Sequence, residues 1–384
     1  MRIESVDVWL VEGIKYNWTL LRITTDTGLT GVGESTNWPG SPLVYHATQH
    51  LGQHIIGEDP RRIDYIWTKL YRDFNWQGPT GTMMCAMSGI DMALLDIKAK
   101  SLGVPCYELL GGAFRTNILL YANYWFIKGG HNPADYAEQA KAVTSEGFTG
   151  LKFDPFAHTS YLFGDDLSSN LTLSIEQENL AYNIVAAVRE AVGDGVQLMI
   201  ETHAFLSMPT AIRMAKRLAP LNITWYEEPA GPESAETLRY LNEQIPIPLC
   251  VGERHYSRWN FRPLLDKHAV DYIMPDITRC GGPSEMKRIA TLAETYNIQV
   301  APHNPNGPLS TIASAHVCAA IPNFFRQEFM YTDVSWRDEV IDHPIDIQNG
   351  YLKLSDRPGL GVDLVPEVME AHPGIVDKQE GFYV

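Results

Sequence analysis

No apolar stretch in the 384-residue sequence reaches membrane-spanning length. The first residues, "MRIESVDVWL", also lack the apolar centre of a secretory signal, so a cytoplasmic protein with no membrane partner is expected. Cysteine is scarce: the five residues (Cys85, Cys106, Cys250, Cys280, Cys318) are scattered, odd in number and mostly in apolar surroundings. That argues against a disulfide framework or a thiolate zinc site and suggests reduced thiols. Cations are in deficit, with 30 Lys and Arg against 46 Asp and Glu and a net charge of −16. Nucleic acid is therefore not an expected partner, since phosphate binding needs clustered cations. A small acid still is, if a metal or a local lysine reverses the field inside one cleft.

What is present falls into two parts. In the first hundred or so residues, "VDVWLVE" and "TLLRITTDTGLTGVGES" read as strands, the second broken by the turn signal "DTG". Asp59-Pro60 then opens a helix whose Ile63, Ile66, Trp67, Leu70 and Tyr71 fall on one face. "MMCAMSGIDMALLDIKAKSLG" is a second helix, closed by Gly103. This is an α+β unit.

From about residue 118, short apolar runs alternate with amphipathic stretches: "LLYANYW", "GLKFDP", "QLMIETH", "ITWYEEP", "PLCVGER", "YIMPD", "IQVAPH" and "NFFRQEF". Such alternation predicts parallel strands joined by helices, and a closed barrel completes the set. A doubly wound open sheet would carry a glycine-rich phosphate loop after its first strand, and "YANYWFIKGG" contains no GxGxxG. Residues 156–175 look like an excursion over the barrel mouth. The segment from about 355 is punctuated by proline and glycine and is expected to return to the N-terminal unit. The expected boundaries are 1–116, 117–354 and 355–384.

Polar groups end these strands in register. Glu201, Glu227 and Glu253 close the third, fourth and fifth at intervals of 26 (227 − 201) and 26 (253 − 227), and Asp276, His303 and Glu328 close the next three. One βα unit per interval places them all at the C-terminal rim, where barrel active sites are built. Three converging carboxylates repel one another unless a cation sits between them. Hard oxygen ligands without cysteine point to magnesium, with manganese as a substitute. In "YEEP" spacing favours Glu227 as the ligand, with Glu228 turned to the wall. Asp276 and His303, on neighbouring strands, make a proton-transfer pair. Glu201 and His203 alternate onto the same face of their strand, which leaves His203 for a second proton transfer.

These segments carry a resemblance. "GPTGTMMCAMSGIDMALLDIKAKSLGVPCYELLGG", "WYEEP", "GERHYSRWNF", "MPDITRCGG" and "APHNPNGPL" are together similar to the enolase superfamily, in the mandelate racemase/muconate lactonizing enzyme-like group. The resemblance covers nearly the whole chain. It implies an α/β fold: a (β/α)7β-type TIM barrel under an α+β N-terminal capping domain that the C-terminal tail completes. It implies one essential Mg2+ on Glu201, Glu227 and Glu253, and a base dyad of His303 with Asp276. It also implies abstraction of the proton α to a carboxylate, with Glu328 helping to hold the enediolate oxygen, and a homo-oligomer, dimer or octamer. Most relatives have aspartate where this chain has Glu201.

Racemases of the group carry Lys-x-Lys on the second strand. This chain keeps Lys152 but has Asp154 at the second position, which removes the usual second base. His203 matches the position that acts as general acid in galactonate- and gluconate-type dehydratases. The expected activity is thus dehydration of an aldonate-type sugar acid to a 2-keto-3-deoxy acid. The alternatives are an epimerase or cycloisomerase of the same superfamily, or a catalytically weak sugar-acid binding protein. Lys152 and Asp154 are expected to bind substrate or to form an ordinary strand-end ion pair. Tyr16, Asn17, Trp18, Trp38 and Trp76 lie in cap loops that either shape a sugar pocket or pack at the cap–barrel interface.

Overall fold

The computed structural model describes residues 1–384 except 39, 78–79, 131, 157–171 and 377–384. Most of the expected excursion at 156–175 therefore lies outside the described residues. Among those described, no helix is long and apolar enough to cross a membrane.

The cap opens with a three-stranded antiparallel sheet, β1 (Ile3–Val11), β2 (Trp18–Thr25) and β3 (Thr30–Glu34). Helices α1 (Ser41–Gln53), α2 (Ile63–Phe74), α3 (Thr82–Leu102) and the short α4 (Cys106–Leu109) follow. Helix α3 is buried along most of its length, because the sheet covers one side of it and the barrel another. Strand β3 supports this close approach with glycine. A Cβ on Gly31 would lie 2.3 Å from the Ala93 carbonyl oxygen, and one on Gly33 would lie 2.1 Å from that of Gly89. "TGVGE" is thus a strand chosen to lie directly on a helix backbone.

The barrel strands are β4 (Asn117–Asn123), β5 (Gly150–Phe153), β6 (Gln197–Glu201), β7 (Ile223–Glu227), β8 (Leu249–Val251), β9 (Tyr272–Ile273), β10 (Gln299–Val300) and β11 (Gln327–Met330). They pair in parallel from β4 through β10, and β11 pairs in parallel with β4. The ring closes where Val300 bridges Phe324 just ahead of β11. Helices α5 (Pro133–Ser145), α6 (Ile175–Val192), α7 (Met208–Leu218), α8 (Ala235–Gln244), α9 (Ser257–Asp266), α10 (Pro283–Glu294) and α11 (Pro308–Ala319) make the crossovers. The order is that of a (β/α)7β barrel. Tyr121, Met199, Trp225, Cys250, Met274 and Ala301 form a separate buried cluster. They come from β4, β6, β7 and β8 and from the residues just after β9 and β10, and they fill the barrel's interior.

A hairpin of β12 (Ile347–Gln348) and β13 (Tyr351–Lys353) adds to β4, and α12 (Pro366–Ala371) follows. The chain then runs back along the cap. Arg22 donates to the Leu364 carbonyl at 2.6 Å, Leu360 N–H to Asp96 at 2.7 Å, and Gly374 N–H to the Leu10 carbonyl at 2.7 Å. The cap is also clasped to the barrel mouth. Glu34 accepts from Gly307 N–H at 2.7 Å and Ser310 N–H at 2.9 Å, so a cap carboxylate sits on the N-terminus of α11.

His316 marks the junction of all three segments. Its Nδ1 accepts from Tyr107 N–H at 3.3 Å, while Nε2 lies 3.4 Å from the Leu360 carbonyl. Both contacts suit the neutral ring, and burial pulls its pKa from 6.5 down to about 4. Between those values the unfolded chain binds more protons than the folded one, so stability falls as pH drops through that window. His316 is thus expected to cost the wild type about 2 kcal/mol of stability between about pH 7 and about pH 5. Denaturant titrations at both pH values check this: the difference should shrink in His316→Gln, and an unchanged difference contradicts it.

Candidate active site

Glu201 and Glu227 are the last residues of β6 and β7, adjacent in register, and Glu253 stands just past β8. One carboxylate oxygen from each lies within 4.8 Å of the others, and all three residues are buried. At an effective dielectric near 20, each pair at that separation repels by about 3 kcal/mol. That exceeds the net worth of a typical hydrogen bond, about 1 kcal/mol. Burial and the Glu201 charge accordingly push Glu227 well above the usual carboxylate range. Against its own burial, Glu253 is held well below that range by His303 and Arg254.

The local backbone aims these groups. Thr202 N–H at 2.9 Å and His203 N–H at 2.7 Å both donate to Glu201 Oε1. The longer arm of glutamate is thus curled back, and its Oε2 has no hydrogen-bond partner among the described residues. Trp225, two residues before Glu227 and on the same strand face, donates to Glu227 Oε2 at 2.8 Å. Glu228 has φ 36 and turns away to pair with Arg254 Nε at 3.0 Å. Burial raises its pKa to about 8, with Arg254 opposing.

The donor set fits a hard divalent ion. Oxygens around one Mg2+ lie about 3–4 Å apart, given bonds of about 2.1 Å, so only a small contraction of this triad is needed. Glu201 Oε2, which accepts no hydrogen bond among the described residues, supplies a ligand atom. A cation already reaches the same oxygens: Lys152 Nζ lies 2.5 Å from Glu227 Oε1, 3.0 Å from Glu328 Oε1 and 3.3 Å from Glu201 Oε2.

His303 stands beside the triad. Its Nδ1 is 2.7 Å from Asp276 Oδ2 and its Nε2 is 2.8 Å from Glu253 Oε2. Burial would lower its pKa, but Glu253, Glu328 and Asp276 outweigh it and raise the value to about 9. Glu328 lies inside β11 and does not close it. It accepts from Asn123 Nδ2 at 2.6 Å and from Asn304 N–H at 2.7 Å, and its Oε2 lies 3.9 Å from His303 Nε2.

A cavity of about 450 Å³ opens above these groups. Lys152, His203, Glu253 and His303 line it from the barrel, and Lys15, Tyr16 and Trp38 from the cap. Tyr16 is anchored by its hydroxyl, 2.8 Å from the Pro305 carbonyl. Two expected aromatic contacts are absent. Trp18 begins β2 and its ring falls in the buried core, 2% exposed, while Asn17 beside it is hydrogen-bonded to Ile375. Trp76 projects from the turn after α2 and is 93% exposed. Of the two readings open for Asp154, the strand-end pairing is the one seen: it is fully buried, with Oδ2 2.8 Å from His203 Nδ1. Sequence reasoning missed Lys15, Arg254 and Arg279, which also face the cavity. "GERHYSR" and "DITRC" place the two arginines beside rim acids, and that adjacency was the available signal.

This architecture is that of a barrel enzyme with an acidic centre at its C-terminal rim. Residues 135–368 match the family described as enolase C-terminal domain-like. Residues 14–111 match the mandelate racemase/muconate lactonizing enzyme N-terminal domain. The chain belongs to this enolase-superfamily group. It is 34% identical over 375 residues to a D-xylonate dehydratase of Haloferax volcanii, covering 96% of this chain and 88% of that protein. It is 35% identical to a D-galactonate dehydratase of Ralstonia pickettii, covering 90% and 88%. A solved enolase-superfamily member from Salmonella Typhimurium superposes with a TM-score of 0.91 at 34% identity, covering 97% of this chain and 99% of that one.

Removing the Lys152 ammonium leaves buried carboxylates without their counter-charge. Lys152→Met is expected to lose about 3 kcal/mol in chelator-treated buffer near neutral pH. The loss should shrink toward about pH 4 as the carboxylates take up protons. Denaturant titrations across that range read this directly, and a loss independent of pH would speak against it.

Proposed function

We propose that the chain is a Mg2+-dependent acid-sugar dehydratase acting on an aldonate-type substrate. One observation carries the reading: two histidines, each backed by an aspartate, line one cavity beside a buried carboxylate triad. Glu201, Glu227 and Glu253 are the residues that would hold the metal, which would neutralise charge building on the substrate's carboxylate. His303, oriented by Asp276, takes the proton from C2 through Nε2. The electron pair released forms the C2–C3 double bond as the C3–O bond breaks. His203 gives its proton to the departing oxygen, which leaves as water, and the enol tautomerises to a 2-keto-3-deoxy acid. Glu328, held by Asn123 and Asn304 N–H, is fixed beside His303 where carboxyl oxygens would gather. Tyr16 and Trp38 cover the site and exclude water. The names carried by the Haloferax and Ralstonia relatives support dehydration. Asp154 at the second-lysine position speaks against a two-base epimerisation.

A sugar-acid library incubated with Mg2+ and scored by semicarbazide for keto acid tests this. The wild type should turn over at least one aldonate, and chelator should stop it. His303→Asn should lower kcat by at least about a hundredfold with the fold intact. Proton exchange at C2 without keto product would instead indicate an epimerase.

A further inference from the structure

The pair Asp154–His203 is built in the same way as Asp276–His303. In each, the aspartate follows the end of a barrel strand, β5 or β9. In each, Oδ1 accepts from the backbone N–H two residues on: Phe156 N–H to Asp154 at 2.7 Å, Thr278 N–H to Asp276 at 2.8 Å. In each, Oδ2 meets a histidine Nδ1, at 2.8 Å and 2.7 Å. Asp154 is fully buried, His203 is 6% exposed, and only the histidine lines the cavity. His203 itself is set on a forced turn. It has φ 50 and Ala204 has φ 61, held by His203 N–H to Glu201 and by Arg254 to the His203 carbonyl at 2.7 Å. Such backbone is costly for residues with a Cβ and persists where surroundings over-determine it.

We propose that Asp154 is a positioning residue for the dehydration step: it fixes the His203 ring with Nδ1–H inward, so that the Nε2 edge meets the departing hydroxyl. The inference deepens the proposed dehydratase reading and rests on it for the kinetic arm alone. Asp154 holds His203 through Oδ2 while Oδ1 is occupied by Phe156, so the carboxylate cannot rotate. When Nε2 gives its proton to the C3 oxygen and water leaves, Nδ1–H stays with Asp154 and the ring is left neutral in one tautomer. In Asp154→Asn, Phe156 N–H selects the amide oxygen and presents the amide NH2 to His203 Nδ1. A donor now faces the atom that must carry a hydrogen, so the opposite tautomer is favoured, as in other Asp–His pairs treated this way.

The test has two arms. With the aldonate found by the library screen, Asp154→Asn should lower dehydration by at least about a hundredfold. It should leave the exchange of the C2 proton with deuterated solvent within about threefold of wild type, because His303 and the triad are untouched. In the His203→Asn background, Asp154→Asn should add nearly nothing, since the two act as one unit. Additive losses, dehydration close to wild type, or exchange falling in step with dehydration would each overturn the proposal. The second arm needs no substrate. In protein labelled with 15N-histidine, at a pH high enough for a neutral ring, His203 should be the Nδ1–H tautomer in wild type, the state left once Nε2 has given its proton, and Nε2–H in Asp154→Asn, with the signal assigned by its loss in His203→Asn. An identical tautomer in both proteins overturns the positioning role. A failed library screen would count against the dehydratase reading while this arm still judges Asp154.

Discussion

Carboxylates crowd the open end of the barrel, and their mutual repulsion is the constraint that orders everything around them. Glu201, Glu227 and Glu253 approach one another within 4.8 Å in a buried setting, where each would prefer distance or a proton. Lys152 reaches Glu227, Arg254 lies 3.5 Å from the Glu253 carboxylate and Arg279 donates to the Glu253 carbonyl, and the backbone N–H groups of Thr202 and His203 donate to one Glu201 oxygen. These partners are arranged on several strands, so the site needs a closed barrel to exist. The apolar layer of Met199, Trp225 and their neighbours beneath it keeps the strands at fixed spacing. Through Trp225 it also contributes a hydrogen bond to Glu227.

The cap matters because the rim alone leaves the cavity open. Glu34 on α11 and Tyr16 on Pro305 fasten cap segments to the loop that follows His303. Lys15, whose burial lowers its pKa to about 8 with Glu253 opposing, is delivered into the cavity from the same cap turn. The returning C-terminal segment braces the cap from behind through Asp96, Arg22 and Leu10. The cavity is therefore walled by barrel residues on one side and by cap residues on the other.

Much of this was legible in the sequence where periodicity carried it. The barrel emerged from alternating apolar runs, and the triad from steps of one βα unit, because both follow from strand geometry. Glu227 over Glu228 followed from the same spacing, and the turn at φ 36 is the physical reason Glu228 leaves the axis. What stayed open depended on side-chain direction across long separations. For Asp154 the sequence leaves substrate contact and a strand-end ion pair both open, since its partner is 49 residues away and is found only because an Asx turn fixes the carboxylate. Trp18 and Trp76 were read from loop composition, which does not tell a core-facing ring from a solvent-facing one. Arg254 and Arg279 were signalled only by standing beside rim acids in the sequence, and Lys15 escaped because no neighbour of that kind marks where its flexible arm will end.

The crowding at the rim is resolved if the Glu201, Glu227 and Glu253 oxygens share one divalent ion. The most direct test is a Mn2+ titration followed by electron paramagnetic resonance on chelator-stripped protein, wild type beside Glu227→Gln, with circular dichroism confirming the fold of both. One tight site per chain is expected in the wild type, and its loss in the variant. Equal binding by the two proteins, or none by the wild type, would contradict it.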